Sequence, residues 1–247
     1  MHSLTLHPDM SAEEVRDVSL RLEDQPLESL LHWCWDQFGE RGAIGTSFQG
    51  AGLVILHHAS ELGLPIPVFT LDTGLLFAET LELKVKIEDR LGIRIESLHP
   101  EQTVEQQAEE NGPALWARSP DSCCTLRKVI PLQKKLAGLD TWVTGLRRQQ
   151  SETRGRTEVL ERYQFDVLRD RYIYKLNPLA SWSRERVNAY IKAHGLPSNP
   201  LKERGYRSIG CQPCTRPTSE GDSERAGRWT GFDKSECGIH TFLGANI

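Results

Sequence analysis

Short apolar strands and amphipathic helices alternate along this chain from residue 43 to residue 144, and few architectures accept that pattern. Residues 43–47 (Ala-Ile-Gly-Thr-Ser) read as a strand and residues 53–62 as the helix after it. Residues 67–71 (Pro-Val-Phe-Thr-Leu) form a second candidate strand, followed by helical periodicity over 75–91 that Gly92 ends. A third strand is expected over 93–98 and a fourth over 141–144, after a helical stretch from Cys124 to Leu136. Alternation at this spacing predicts an α/β fold, an open and mostly parallel sheet with helices on both faces. Residues 11–38 read as two amphipathic helices broken near Gln25-Pro26. After Gly145 the alternation stops. A basic loop over 146–157 precedes a hairpin candidate (163–167 with 171–176) and a helix over 183–194, capped by Ser183 and stopped by Gly195. From Pro197 onward Gly, Pro, Ser and charged residues dominate, so the tail is expected to be mostly loop, held by something other than a core.

Charge removes several partners from consideration. Thirty Lys and Arg against 34 Asp and Glu leave a net −4, so no global basic excess points to nucleic acid or an anionic membrane. No apolar run approaches the ~18 residues a membrane-spanning helix needs. The first residues lack the basic start and apolar middle of a signal peptide. A cytoplasmic location follows as the expectation. Six cysteines in 247 residues are too sparse for a disulfide scaffold.

In open parallel sheets, ligands bind beyond the carboxyl ends of the strands, where loops and helix N-termini present N–H groups. Two loops are placed for that, Ser47-Phe48-Gln49-Gly50 after the first strand and Asp72-Thr73-Gly74 after the second. Gly50 and Gly52 allow close approach of backbone to an anion, and Thr46 and Ser47 add hydroxyls; plain turn chemistry is the alternative. Arg147, Arg148, Arg154 and Arg156 follow the fourth strand, and Arg225, Arg228 and Lys234 repeat the theme in the tail. Arginine suits bidentate recognition of sulfate or phosphate oxygens. A solvated charged loop would have the same composition, but local basic clusters in an acidic chain favour a small anionic ligand.

The cysteines carry the most information. Cys123-Cys124 and Cys211-x-x-Cys214 offer four thiolates, the number taken by zinc or by a 4Fe–4S cluster. Vicinal side chains on a helix point about 100° apart, which is awkward for one tetrahedral ion and easier for a cluster with separate iron corners. Lys128, four residues after Cys124, is placed to offset the cluster's negative charge. Buried, unliganded thiols are the alternative. Cys237, in Lys234-Ser-Glu-Cys-Gly-Ile-His240, fits a nucleophile on a tail, with cations nearby to lower its pKa and Glu236 opposing them. Cys34, between Trp33 and Trp35, reads as core packing.

These motifs resemble one family, the assimilatory adenylyl-sulfate (APS) reductases, close relatives of the phosphoadenylyl-sulfate (PAPS) reductases. The matching segments are Thr46-Ser47-Phe48, Leu71-Asp72-Thr73-Gly74, Cys123-Cys124-x-x-Arg127-Lys128 and Gly145-Leu146-Arg147-Arg148. Cys211-x-x-Cys214, Arg225-x-x-Arg228-Trp229 and Lys234-x-Glu236-Cys237-Gly238-x-His240 continue them in the family's order. The resemblance implies an adenine-nucleotide alpha-hydrolase-like fold, with N-terminal helices over 1–40, a nucleotide-binding α/β domain over 41–200 and a cluster-binding, catalytic tail over 201–247, one structural domain overall. It implies a 4Fe–4S cluster on Cys123, Cys124, Cys211 and Cys214. It also implies that Cys237 attacks the sulfur of APS, expelling AMP and leaving a thiosulfonate that thioredoxin or a similar dithiol protein reduces to release sulfite. By motif match Lys128, Arg154, Arg225 and Arg228 hold the phosphosulfate. Thr46, Ser47, Phe48, Asp72, Thr73, Gly74 and Gly145 form the remaining substrate-binding set. A homo-oligomer is compatible with this reading. PAPS or dual specificity is the nearest alternative. A sulfur-transferring ATP pyrophosphatase would carry Ser-Gly-Gly-x-Asp-Ser where this chain has Ser47-Phe48-Gln49-Gly50-Ala51-Gly52, and a zinc-stapled binding module would hold zinc in place of iron. Relatives commonly carry an acidic pair where Gly52-Leu53 stands, and more tryptophan after Arg228.

Overall fold

The computed structural model describes residues 5–7, 10–219, 221–234, 236 and 238–240. Helix α1 (Ala12–Leu22) starts where Ser11 and Glu14 form a capping box, and it turns Val15, Val18 and Leu22 inward. Pro26 fixes the extended residue before α2 (Leu27–Phe38), which buries Leu27, Leu30, Leu31 and Cys34. Strand β1 (Gly42–Thr46) leads into α3 (Gly50–Glu61), whose residues from Ala51 to His57 are all buried because it lies between the sheet and other helices. Strand β2 (Val68–Leu71), α4 (Ala78–Leu91) and β3 (Ile95–Leu98) follow, and Gly92 ends α4 in the left-handed conformation at φ 63°.

Beyond β3 the chain forms α5 (Val104–Asn111), opened by a Thr103–Gln106 capping box, and the short α6 (Leu115–Arg118). Helix α7 (Pro120–Cys124), a π turn over Thr125–Val129 and α8 (Ile130–Leu136) then run on as one continuous helix. Strand β4 (Thr141–Val143), the hairpin β5 (Leu160–Asp166) and β6 (Arg171–Leu176), and α9 (Arg184–Ala193) complete the order. Ser183 accepts from the Arg186 N–H at 3.1 Å and caps α9 as expected.

The six strands lie in the order β3-β2-β1-β4-β6-β5. Ile44 stands opposite Val68 on one side and Val143 on the other, and Val143 opposite Leu176, all parallel. Only β5 is antiparallel, on β6. The chain builds outward from β1 through β2 to β3, then returns to place β4 on β1's other edge. That reversal makes β1–β4 the topological switch point, where open sheets of this kind bind ligands. Alternation along the strands feeds two cores: Ile44 joins Leu31, Val54 and Val143 on one face, while Ala43 joins Phe69, Leu132 and Trp142 on the other.

Three expectations need adjustment. The four strands expected over 43–144 become six among the described residues, because the hairpin joins the main sheet with β6 parallel to β4. Helix formation begins at Pro120 rather than Cys124, since proline at the first helical position loses no hydrogen bond. The same helix is not regular, because the π turn follows directly after the vicinal cysteines. No helix among the described residues is long and apolar enough to cross a membrane.

Candidate active site

A cavity of about 660 Å³ opens at the carboxyl ends of β1, β2 and β4. Thr46, Ser47, Phe48, Thr73, Lys128, Gly145, Arg154, Arg225 and Arg228 all line it, so most of the residues chosen from sequence converge. After β1 the chain turns sharply. Phe48 adopts φ 57°, unusual for a bulky residue, and its N–H is held by the Thr46 hydroxyl at 3.1 Å. Across the cavity, Gly145 lies so near the start of α3 that a Cβ there would stand 3.0 Å from the Gly52 nitrogen. Any larger residue would press on the backbone where the end of β4 meets the helix N-terminus.

Asp72 and Gly74 are not among the lining residues; they build the loop. The Gly74 N–H donates to Asp72 Oδ1 at 3.0 Å, and Gly74 takes φ 68° to make the turn. The loop is fixed from behind by Arg127, which is 3 % exposed and donates to the Thr73 carbonyl, the Thr103 and Gln102 carbonyls and Gln107 Oε1. The signal of Arg127 in the sequence is its place after the cysteine pair, but its acceptors lie in the loop after β2 and over residues 102–107 and cannot be inferred from spacing.

A π turn runs through Lys128, directly after the vicinal cysteines. Lys128 hydrogen-bonds Cys211, across from its own helix, and its charge also acts on Cys214. Cys211 is joined to Leu76 by an isolated antiparallel bridge, and its sulfur lies 3.2 Å from the Thr73 hydroxyl. Burial pushes the Cys211 thiol up, yet Lys128, the Thr73 hydroxyl and Arg228 outweigh it and the net shift is down. Cys123 is the opposite case: burial, with Cys124 and Cys211 adding to it, pushes it up to about 11. Cys214 is likewise raised, by burial first and Cys211 second.

Cys123, Cys124, Cys211 and Cys214 are therefore within electrostatic reach of one another, and all four are free thiols. Among the described residues no group of three or more His, Cys, Asp or Glu side chains converges tightly enough for a single metal ion. Four thiols as a donor set suit zinc or an iron–sulfur cluster. Cys34 is fully buried in the α2 core, and burial alone pushes its thiol up to about 12, as its packing role requires.

The arginines differ from one another. Arg228 spreads over the Trp229 ring at 4.4 Å, with its Nε buried and unpartnered among the described residues. Arg147, 3 % exposed and one of the basic-loop arginines singled out in the sequence, lines the cavity and reaches Glu224 at 3.3 Å. Arg148 points elsewhere and pairs with Glu23 near α1 at 2.7 Å. Arg154 is engaged from the tail, because its Nε and Nη2 donate to the two Glu236 oxygens at 2.9 and 2.7 Å. Arg225 adds a contact to Glu236 at 3.2 Å. His240 also lines the cavity, with its ring stacked on Trp142 at 5.1 Å; burial, and secondarily Lys175, holds it well below its ordinary value, so it is neutral. Cys237, the nucleophile expected from sequence, lies outside the described residues.

Comparison with known proteins agrees with this architecture. A relative from Streptomyces coelicolor named adenosine 5'-phosphosulfate reductase is 42 % identical over 236 residues, covering 94 % of this chain and 97 % of its own. A Salinibacter ruber protein of the same name is 40 % identical over 233 residues, covering 94 % and 90 %. The crystal structure of a phosphoadenylyl-sulfate (PAPS) reductase from Candida auris superposes with TM-score 0.73 at 28 % identity, over 86 % of this chain and all (100 %) of that one. Residues 42–217, from the first strand through the Cys-x-x-Cys loop, match the phosphoadenosine phosphosulfate reductase domain, and the chain belongs to that family.

Proposed function

We propose that the protein reduces adenosine 5'-phosphosulfate to sulfite and AMP in sulfate assimilation, with Cys237 as nucleophile and a thioredoxin-type dithiol protein as reductant. The observation that carries this reading is identity of about 40 % to proteins named adenosine 5'-phosphosulfate reductase over more than nine-tenths of the chain. The cavity supports it, being lined by hydroxyls at the strand ends and by Lys128, Arg225 and Arg228.

In the first half-reaction the Cys237 thiolate attacks the sulfuryl sulfur. The bond from that sulfur to the bridging phosphate oxygen breaks, its electron pair leaves with AMP, and a thiosulfonate stays on the enzyme. A thiolate of the dithiol partner then attacks the Cys237 sulfur, sulfite leaves with the bond pair, and the partner's second thiol resolves the mixed disulfide. The dithiol supplies both electrons and ends as a disulfide. Lys128 and Arg228 neutralise the sulfuryl and phosphate oxygens as charge moves onto AMP. Thr46, Ser47 and Thr73 offer hydroxyls to the nucleotide.

Cys123, Cys124, Cys211 and Cys214 would hold a 4Fe–4S cluster. When bound, such a cluster supplies a thiolate-ligated charge centre tying the Cys211 loop to the helix of residues 120–136. Protein purified without oxygen is expected to contain iron and sulfide that Cys123→Ser and Cys211→Ser diminish; zinc in their place would remove the cluster from this reading. Stoichiometric APS without reductant is expected to release AMP and add one sulfonate to the Cys237 peptide. A higher kcat/KM for PAPS than for APS, measured side by side, would move the assignment to the other branch of the family.

A further inference from the structure

We propose that Glu224, shared between the buried cations Arg147 and Lys202, reads the ribose of the nucleotide. Its carboxylate accepts a free ribose hydroxyl and turns away a nucleotide that carries a second phosphate there. The proposal rests on the APS reductase reading and deepens it, by naming a residue that separates APS from PAPS.

The cavity is basic in two regions. Lys128 and Arg228 act on Cys211, at the end where the sulfur chemistry is proposed. Arg147 and Lys202 line a different wall, built by the residues after β4, the start of α9 and the 202–210 segment. Arg147 Nη1 donates to the Trp182 carbonyl at 3.4 Å, just before α9, and α9 packs on α3. Helix α3 in turn follows the Ser47–Gly50 loop, where Gln49 donates to the Ile209 carbonyl. The second basic region therefore borders the nucleotide loop.

Arg147 is poorly satisfied by the protein. Its side chain is 4 % exposed, its contact to Glu224 is 3.3 Å long, and its Nε is buried without a partner among the described residues. A buried donor left unpaired is costly, and a guanidinium in a cavity wall suits an oxygen-rich ligand. Burial lowers the pKa of Lys202, with Glu224 opposing the shift. One carboxylate thus serves two buried cations, and it too lines the cavity. APS keeps both ribose hydroxyls free, whereas PAPS has phosphate in place of the 3'-hydroxyl. A carboxylate accepts from a hydroxyl and repels a phosphate, which has no proton to offer in return. Without the charge of Glu224, Arg147 and Lys202 become a two-cation seat for that phosphate. The same cations border either nucleotide, and the carboxylate decides which one is favoured.

The test uses full-length protein loaded with its iron, as wild type, Glu224→Gln, Lys202→Met and the double variant. AMP and adenosine 3',5'-bisphosphate are the binding probes, and APS and PAPS the substrates. Wild type is expected to bind AMP more tightly than the bisphosphate. In Glu224→Gln the ratio of the two Kd values is expected to move roughly 10- to 100-fold toward the bisphosphate, and kcat/KM to move toward PAPS by a similar factor. Lys202→Met removes a cation and keeps the carboxylate, so its Kd ratio is expected to move the other way, by about threefold or more. The double variant is expected to lose most of the gain. A residue that only braces the wall would change both Kd values by one common factor, and that result overturns the proposal. So does a wild type that prefers the bisphosphate, or that binds neither nucleotide. Should Glu224→Gln not fold, the ratio in Lys202→Met decides, and an unmoved ratio refutes the scheme. Should wild type bind the probes but reduce neither APS nor PAPS, the functional reading fails. The Kd ratios still decide in that case, because a ratio unmoved by Glu224→Gln refutes the role of Glu224.

Discussion

Arg127, buried in the helix that carries the vicinal cysteines, donates its Nε to the carbonyl of Thr73 in the loop after β2. Thr73 in turn places its hydroxyl 3.2 Å from the Cys211 sulfur, so one arginine links three separate segments. Removing it strands four acceptors, in a place where hydrogen bonds to a charged group are each worth about 1.5–3 kcal/mol. Arg127→Ala is therefore expected to lower stability by about 3–5 kcal/mol and to reduce the iron retained on purification. Denaturant melts and iron assays on the same preparation check both; full iron content with native stability would contradict the linkage.

Gly145 meets the start of α3 closely, and a methyl group there would crowd the Gly52 nitrogen at 3.0 Å and Ala51 Cβ at 3.3 Å. Gly145→Ala is expected to cost about 1–3 kcal/mol. It is also expected to raise the Kd for AMP, because β4 and α3 both frame the cavity. Calorimetry with AMP reads the second effect, and unaltered affinity would place the nucleotide away from this contact.

Acid is expected to loosen the contact between α3 and α9. His57 Nδ1 lies 2.7 Å from the Tyr190 hydroxyl, and the His58 and His194 rings both stack on Tyr190. Burial lowers the pKa of His57 and of His58; His194 lowers both further, while Glu61 and, for His58, Glu28 oppose the shift. Both histidines titrate below their ordinary 6.5 in the folded chain, so the unfolded chain takes up protons first as pH falls. Stability is thus full above about pH 6.5 and declines as pH drops through that value toward the lower folded values. Thermal melts between pH 8 and 5 are expected to show this loss, and His58→Gln to flatten it; identical slopes for variant and parent would acquit the histidine.

Cys34 offers a control for the other cysteines. Its thiol is 1 % exposed among Leu30, Leu31 and their neighbours. Cys34→Ser buries a hydroxyl at a cost of about 1–3 kcal/mol with iron content and turnover per folded molecule retained. Loss of iron at native stability would show that Cys34 has a role beyond packing.

The parallel sheet was legible because each of β1, β2 and β4 is a short apolar run followed by a loop, a pattern that burial on both faces imposes. The cavity was legible for the same reason, since Thr46, Ser47 and Thr73 sit where strand ends must be. Three features were not. The π turn at Thr125–Val129 leaves helical periodicity almost intact, so the apolar pattern of 124–136 does not report it. The parallel pairing of β6 with β4 is settled by packing across the sheet, which local pattern cannot report. The third is the pairing of Arg154, whose Nε and Nη2 both donate to Glu236, 82 residues further along the chain, a contact that no local pattern reports.

The bridge between Leu76 and Cys211 also makes the cysteine site depend on the sheet. Leu76 and Thr73 belong to the connection between β2 and α4, whose position depends on a finished sheet. Cys211 and Cys214 are close in sequence, but what brings them to Cys123 and Cys124 is contact with that connection, a closure over a long loop that contributes only once the sheet exists. The four sulfurs are therefore expected to meet late in folding, so that whatever they bind meets a sheet already formed.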